Sequence, residues 1–131
     1  MKLEKLQVPS VRRASAAVLM AVAVGAAIGQ SQLAHSELSA LIVGKTVEYK
    51  YHPDGRTASG YFAPDGTYWY QRSDGGVFDG VWRNRNDGTL CISFATEECG
   101  PVSRDANGGY SRAIGGGAAV KWTKISSGRT F

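Results

Sequence analysis

Four Asp-Gly pairs punctuate the stretch from Tyr61 to Phe94: Asp65-Gly66, Asp74-Gly75, Asp79-Gly80 and Asp87-Gly88. The runs between them are short, aromatic and β-branched. Gly supplies the positive φ of a tight turn, and Asp hydrogen-bonds its own backbone there, so such a pair between apolar runs marks a hairpin. The pattern specifies an antiparallel β-meander. Asp79-Gly80 follows the preceding turn too closely to be another hairpin. It reads as a bulge, or as a bend where a neighbour packs on the Gly.

Periodicity extends the meander in both directions. Val47, Tyr49 and Tyr51 alternate with Glu48, Lys50 and His52, which is strand period. Pro53-Asp-Gly-Arg56 turns the chain into a second strand, Thr57 to Phe62. In the third strand Tyr68 and Tyr70 face one way and Trp69 the other. The fourth, Val77 to Arg83, carries Phe78, Gly80 and Trp82 on one face. Leu90, Ile92 and Phe94 form the apolar face of the fifth. Thr96-Glu97-Glu98 reads as a turn into a short sixth strand, Gly100 to Arg104. The seventh covers Gly109 to Ile114, and Gly115-Gly-Gly117 turns into the eighth, Ala118 to Lys124. Eight strands joined by short loops imply an up-and-down sheet that is closed or strongly curved, a small barrel, since closure removes sticky edges. One short helix is expected at 36–43, capped by Ser36, with Glu37 in its first turn, Leu38, Leu41 and Ile42 on one face and Gly44 as its stop. The domain so defined covers 36–125, and the tail 126–131 is expected to fray.

The segment 1–29 has a different character. Lys2, Lys5, Arg12 and Arg13 lead into an uncharged Ala- and Val-rich run, Ala14 to Gly29, with small residues near its end. That is the pattern of a secretory signal peptide, and the run is short for a membrane span of about 20 residues. Residues 30–35 then form a linker. The leader holds four of the 15 Lys+Arg and one of the 11 Asp+Glu, so the rest carries eleven and ten, a net charge of +1. No concentrated basic surface is left for nucleic acid. Export implies an oxidising compartment, periplasmic or secreted, where the close pair Cys91 and Cys99 reads as a disulfide.

Three pieces of the chain occur in a suggestive order: Leu41-Ile-Val-Gly-Lys-Thr-Val47, Tyr61-Phe-Ala-Pro-Asp-Gly-Thr67, and Gly80-Val-Trp-Arg83 followed by Asp87-Gly-Thr-Leu-Cys-Ile-Ser-Phe94. In that order they resemble a family of small exported alphaproteobacterial proteins known only as a domain of unknown function. The resemblance implies export and a β-rich domain. It supplies no catalytic residue.

The residues themselves point to no catalytic, metal or cofactor site. His35 and His52 lack a sequence-visible partner, which a general base needs. Glu97 and Glu98 are adjacent, so a strand would split them between faces. Gly115–Gly117 opens no helix, as a phosphate loop should. Aromatic density is the unusual feature. Most of it suits a small core; Trp69, opposite Tyr68 and Tyr70 in alternation, is free to face outward. With Arg72, Arg83 and Arg85 near the turns, Trp69 forms the candidate binding surface, because Trp, Tyr and Arg dominate binding hot spots. The expected function is a non-enzymatic exported module that binds a protein or envelope component, with membrane contact only through an uncleaved leader. The alternative is a lipocalin-like carrier of a small apolar ligand. The two differ in where Tyr49, Tyr51, Tyr68 and Tyr70 point, and in whether the interior is filled or hollow.

Overall fold

The computed structural model describes residues 31–52, 54–114 and 118–131. The leader expected at 1–29, Pro53 and the Gly115–Gly117 turn lie outside the described residues. One helix, α1 (His35–Ile42), precedes eight strands: β1 (Lys45–His52), β2 (Thr57–Phe62), β3 (Thr67–Arg72), β4 (Val77–Asn84), β5 (Thr89–Ser93), β6 (Glu97–Arg104), β7 (Tyr110–Ala113) and β8 (Ala119–Ser127). Each strand pairs antiparallel with the next, and β8 returns to pair with β1. The result is the closed up-and-down barrel that the turn spacing implied. A two-residue strand, Ser31–Gln32, lies beside β6.

The turns follow from local chemistry. In the β2–β3, β3–β4 and β4–β5 hairpins the Asp carboxylate accepts the N–H two residues on: Asp65 from Thr67 at 2.8 Å, Asp74 from Gly76 at 2.9 Å, Asp87 from Thr89 at 2.9 Å. Gly66, Gly75 and Gly88 then take φ of 93°, 92° and 85°, which only Gly adopts without cost. Asp79-Gly80 makes no turn. It sits within β4, and a Cβ on Gly80 would strike the Phe94 ring and the Ser93 carbonyl. A neighbour packs on the Gly, as one of the two sequence readings required.

Alternation places Val47, Phe62, Leu90 and Val102 inside one end of the barrel, fully buried. Leu38 and Ile42 of α1 close that end, both at 0% exposure. The helix is docked by side-chain bonds as well. Asn84 Nδ2 donates to the His35 carbonyl and to Ser39 Oγ, each at 2.8 Å.

Three sequence expectations need correction. Ser36 is not the helix cap; α1 starts one residue earlier, and Glu37 reaches back to accept the Ala34 N–H at 3.0 Å, satisfying that end without a hydroxyl. Glu97 and Glu98 are not in a turn. They pair with Ser93 and Ile92, so β6 is longer than expected and the turn centres on Ala95. The tail does not fray. β8 runs to Ser127, Gly128 N–H donates to Gly44 O at 2.8 Å, and Thr130 N–H donates to Thr46 Oγ1 at 3.2 Å. A terminus frays only where nothing ties it down.

Cys91 and Cys99 are register partners in the β5–β6 hairpin, with Cα atoms 4.0 Å apart, and are joined as a disulfide. Replacing both by Ser is expected to lower stability by about 2–3 kcal/mol, the loop-closure entropy for so short a ring. Urea unfolding of the double variant measures it; an unchanged midpoint would mean that the ladder alone holds the hairpin.

Candidate functional site

The end of the barrel away from α1 is hollow. A cavity of about 430 Å³ opens there, lined by Tyr49, Tyr51, Tyr68, Tyr70, Arg112 and Trp122, with Ile92, Phe94, Val120 and Glu98 completing the wall. Strand period builds it. Tyr49 and Tyr51 continue the inner face of Val47 on β1, and Tyr68 and Tyr70 form the inner face of β3. Between these strands runs β2, whose inner position is Gly60. A Cβ there would meet the hydroxyls of both Tyr49 and Tyr68. The missing side chain is what lets the rings span the gap.

The hydroxyls meet in two pairs, Tyr49 with Tyr68 and Tyr51 with Tyr70, each 2.9 Å apart. Burial pushes the hydroxyls of Tyr49, Tyr51 and Tyr68 well above the ordinary phenol range. All three are therefore neutral donors and acceptors at physiological pH.

Arg112 is the residue that the sequence reading missed. It stands on β7 between Tyr110 and Ile114, in the same alternation, and is 7% exposed. Its Nη2 donates to the Glu98 carbonyl at 2.8 Å and to the Leu90 carbonyl at 3.2 Å. Among the described residues three buried side-chain polar atoms have no partner, and two belong to residues that line this cavity: Arg112 Nε and Trp122 Nε1. The third is Asn84 Oδ1, at the helix end. The signal was available: alternation across Tyr110-Ser-Arg-Ala-Ile114 puts the Arg with the apolar residues.

Searches against family models, curated proteins and solved structures find no match to this chain.

The four residues expected to bind a partner lie outside the cavity and do not converge. Trp69 is on the outer face of β3, half-buried, with the Arg129 guanidinium 4.3 Å from its ring centre. Arg72 pairs with Asp74 at 2.9 Å and stacks over Phe78. Arg83 holds Glu97 through two bonds of 2.8 and 2.7 Å, which keeps that carboxyl below its usual range. Arg85 is exposed at the next turn, where its carbonyl accepts from His35 Nδ1 at 2.9 Å. The Arg72 end of the β3–β4 hairpin and Arg83 are about seven residues of β4 apart, roughly 23 Å at strand rise. Glu97 and Glu98 split between outer and inner faces. His52 is exposed. The Glu97 carboxylate lies within 4.8 Å of both cysteine sulfurs, but these are joined to each other and offer no thiolate.

Trp69 belongs to no part of the buried core. Trp69→Ala is expected to lower stability by about 1–2 kcal/mol, the cation–π contact with Arg129 together with the apolar area that the half-buried ring gives up. Thermal unfolding measures this; a loss of about 3–5 kcal/mol would mark Trp69 as a packing residue instead.

Proposed function

We propose that this chain is a non-enzymatic, exported binding module whose ligand occupies the cavity at the open end of the barrel. The hollow interior carries this reading. A core built for stability alone would be filled to close packing, with few voids larger than a water molecule. Here four tyrosines, a tryptophan and an arginine stand around about 430 Å³ of open space. That lies within the ~300–1,000 Å³ typical of small-molecule sites. The mixture of apolar walls and a few polar groups is also the usual character of such sites. The disulfide supports an oxidising compartment, and among the described residues no helix is long and apolar enough to cross a membrane.

The uncharged probe N-phenyl-1-naphthylamine tests the reading, because its fluorescence rises in apolar surroundings. Bound emission is expected with the native protein and loss of it with Val120→Trp, which fills the cavity. Equal emission from both proteins, or none from either, would overturn the reading.

One observation favours an additional docking surface. Val77 and Val81 lie on the outer face of β4, 44% and 57% exposed, on either side of Asp79, the register partner of Trp69. An envelope protein would meet this patch rather than the cavity. Capture that Trp69→Ala abolishes and Val120→Trp leaves intact would select it.

A further inference from the structure

We infer that the cavity is a receptor for a monoanionic carboxylate carried on an apolar body, with Arg112 taking the carboxylate. This rests on the cavity reading above and names its ligand.

A guanidinium so far out of water is ordinarily paired with an acid, because an uncompensated buried charge is costly. Among the described residues no Asp or Glu oxygen lies within 4.0 Å of Arg112. The carboxylate that lines the cavity, Glu98, is exposed at its mouth and makes no ion pair with it. The two carbonyls on Nη2 satisfy hydrogen bonds and cancel no charge. Nε keeps a proton with nowhere to go, and so does the Trp122 indole.

The tyrosines add to the same surplus. In a pair of hydroxyls one proton lies between the two oxygens, and the accepting hydroxyl keeps its own. The Tyr49–Tyr68 and Tyr51–Tyr70 pairs therefore each retain an O–H to donate. The unspent groups of the residues that line the cavity are donors and one positive charge. Their complement is an acceptor with one negative charge.

A carboxylate fits better than a more highly charged oxyanion. It carries a single negative charge and can accept charge-assisted bonds from the guanidinium protons that Nη2 does not already give to the two strand carbonyls. One cation faces the cavity, and Glu98 at the mouth would repel a second negative charge. Ile92, Phe94 and Val120 leave part of the wall apolar, so the rest of the ligand is hydrocarbon or aromatic. A free fatty acid and an aryl-alkyl acid share this chemistry.

Calorimetric titration with octanoate, 4-phenylbutyrate and their alcohols, octan-1-ol and 4-phenylbutan-1-ol, tests the proposal and separates the two sources. At least one acid is expected to bind roughly tenfold or more tighter than its alcohol, the difference made by a charge-assisted pair. Which acid binds tells chain from ring. The Trp122 indole N–H resonance should move on adding that acid and stay put on adding its alcohol. Arg112→Lys keeps the charge but not the fixed set of donors that holds the strand carbonyls and the carboxylate at once, and should weaken the acid roughly tenfold while leaving the alcohol unchanged. Arg112 also holds two strand carbonyls, so Glu98→Gln provides a variant of an exposed side chain. It should tighten the acid and not the alcohol. Equal binding of acids and alcohols, or a Glu98→Gln effect on both alike, would overturn the carboxylate and leave the cavity standing. If none of the four binds while N-phenyl-1-naphthylamine still does, the carboxylate falls alone. If that probe is not bound either, the cavity reading falls with it.

Discussion

Above pH 10 the folded barrel is expected to lose stability with every further pH unit, at up to about 3 kcal/mol per unit, against a total of about 5–15 kcal/mol for a domain. Tyr49 and Tyr68 are the cause. Both are almost wholly buried, and burial holds both hydroxyls protonated far above the value of an exposed phenol. In the unfolded chain they ionise near pH 10. A group that keeps its proton more tightly when folded contributes its full stability below the unfolded pKa. That contribution is lost as the pH climbs toward the folded value. Each tyrosine removes up to about 1.4 kcal/mol per pH unit between its unfolded and folded values, so the two together remove up to about 3 kcal/mol per unit. Far-UV circular dichroism and the part of the tyrosinate absorbance that the Tyr49→Phe, Tyr68→Phe variant lacks should therefore change together, in one cooperative step. Replacing both residues by Phe removes the pair of hydroxyls at once and should shift that step upward in pH. Formation of the tyrosinate of those two residues near pH 10 without loss of ellipticity would show that the floor of the cavity is wet.

Gly100→Val is expected to cost about 3 kcal/mol or more, at the top of the range for overpacking. The residue lies on β6, and a Cβ there would run into the carbonyl oxygen of Ala113 on β7. That obstacle is backbone, so no rotamer change relieves it. The seam concerned is also short: Val102 with Arg112, Ser103 with Ser111 and Arg104 with Tyr110. Forcing it apart breaks the closure of the barrel where it has fewest pairs to spare. Chemical denaturation measures the loss, and amide exchange should show β7 deprotected first. Native stability in the variant would mean that β6 and β7 part there without consequence.

Much of the architecture was legible because it is written in local chemistry. Asp-Gly turns and two-residue alternation name the strands, their inward faces and, through turn length, the register that joins Cys91 to Cys99. The tyrosine faces were readable for the same reason. What depends on distant parts of the chain was not. The tail was expected to fray because nothing near it in sequence holds it; Thr46 and Gly44, more than 80 residues earlier, hold it instead. Trp69 was legible as outward-facing, but the Arg129 that covers it was not. Alternation puts Arg112 on one face with Tyr110 and Ile114, but a charged side chain on such a face can equally stand in solvent. Barrel closure, which turns that face of β7 inward, is what makes it a buried cation.

The disulfide has one more consequence. Ile92, Phe94, Ala95, Thr96 and Glu98, all on the β5–β6 hairpin, form one lip of the cavity. The covalent bond lies on the outer side of the same hairpin, one residue behind Ile92 and Glu98, with the Arg83–Glu97 pair beside it. A hairpin tip free to writhe would have to be stilled by each arriving guest, at a cost of ordering that subtracts from affinity. Here the bond has stilled it already, during folding. Reduction would give the lip back its freedom, and the mouth would greet its guest with entropy instead of shape.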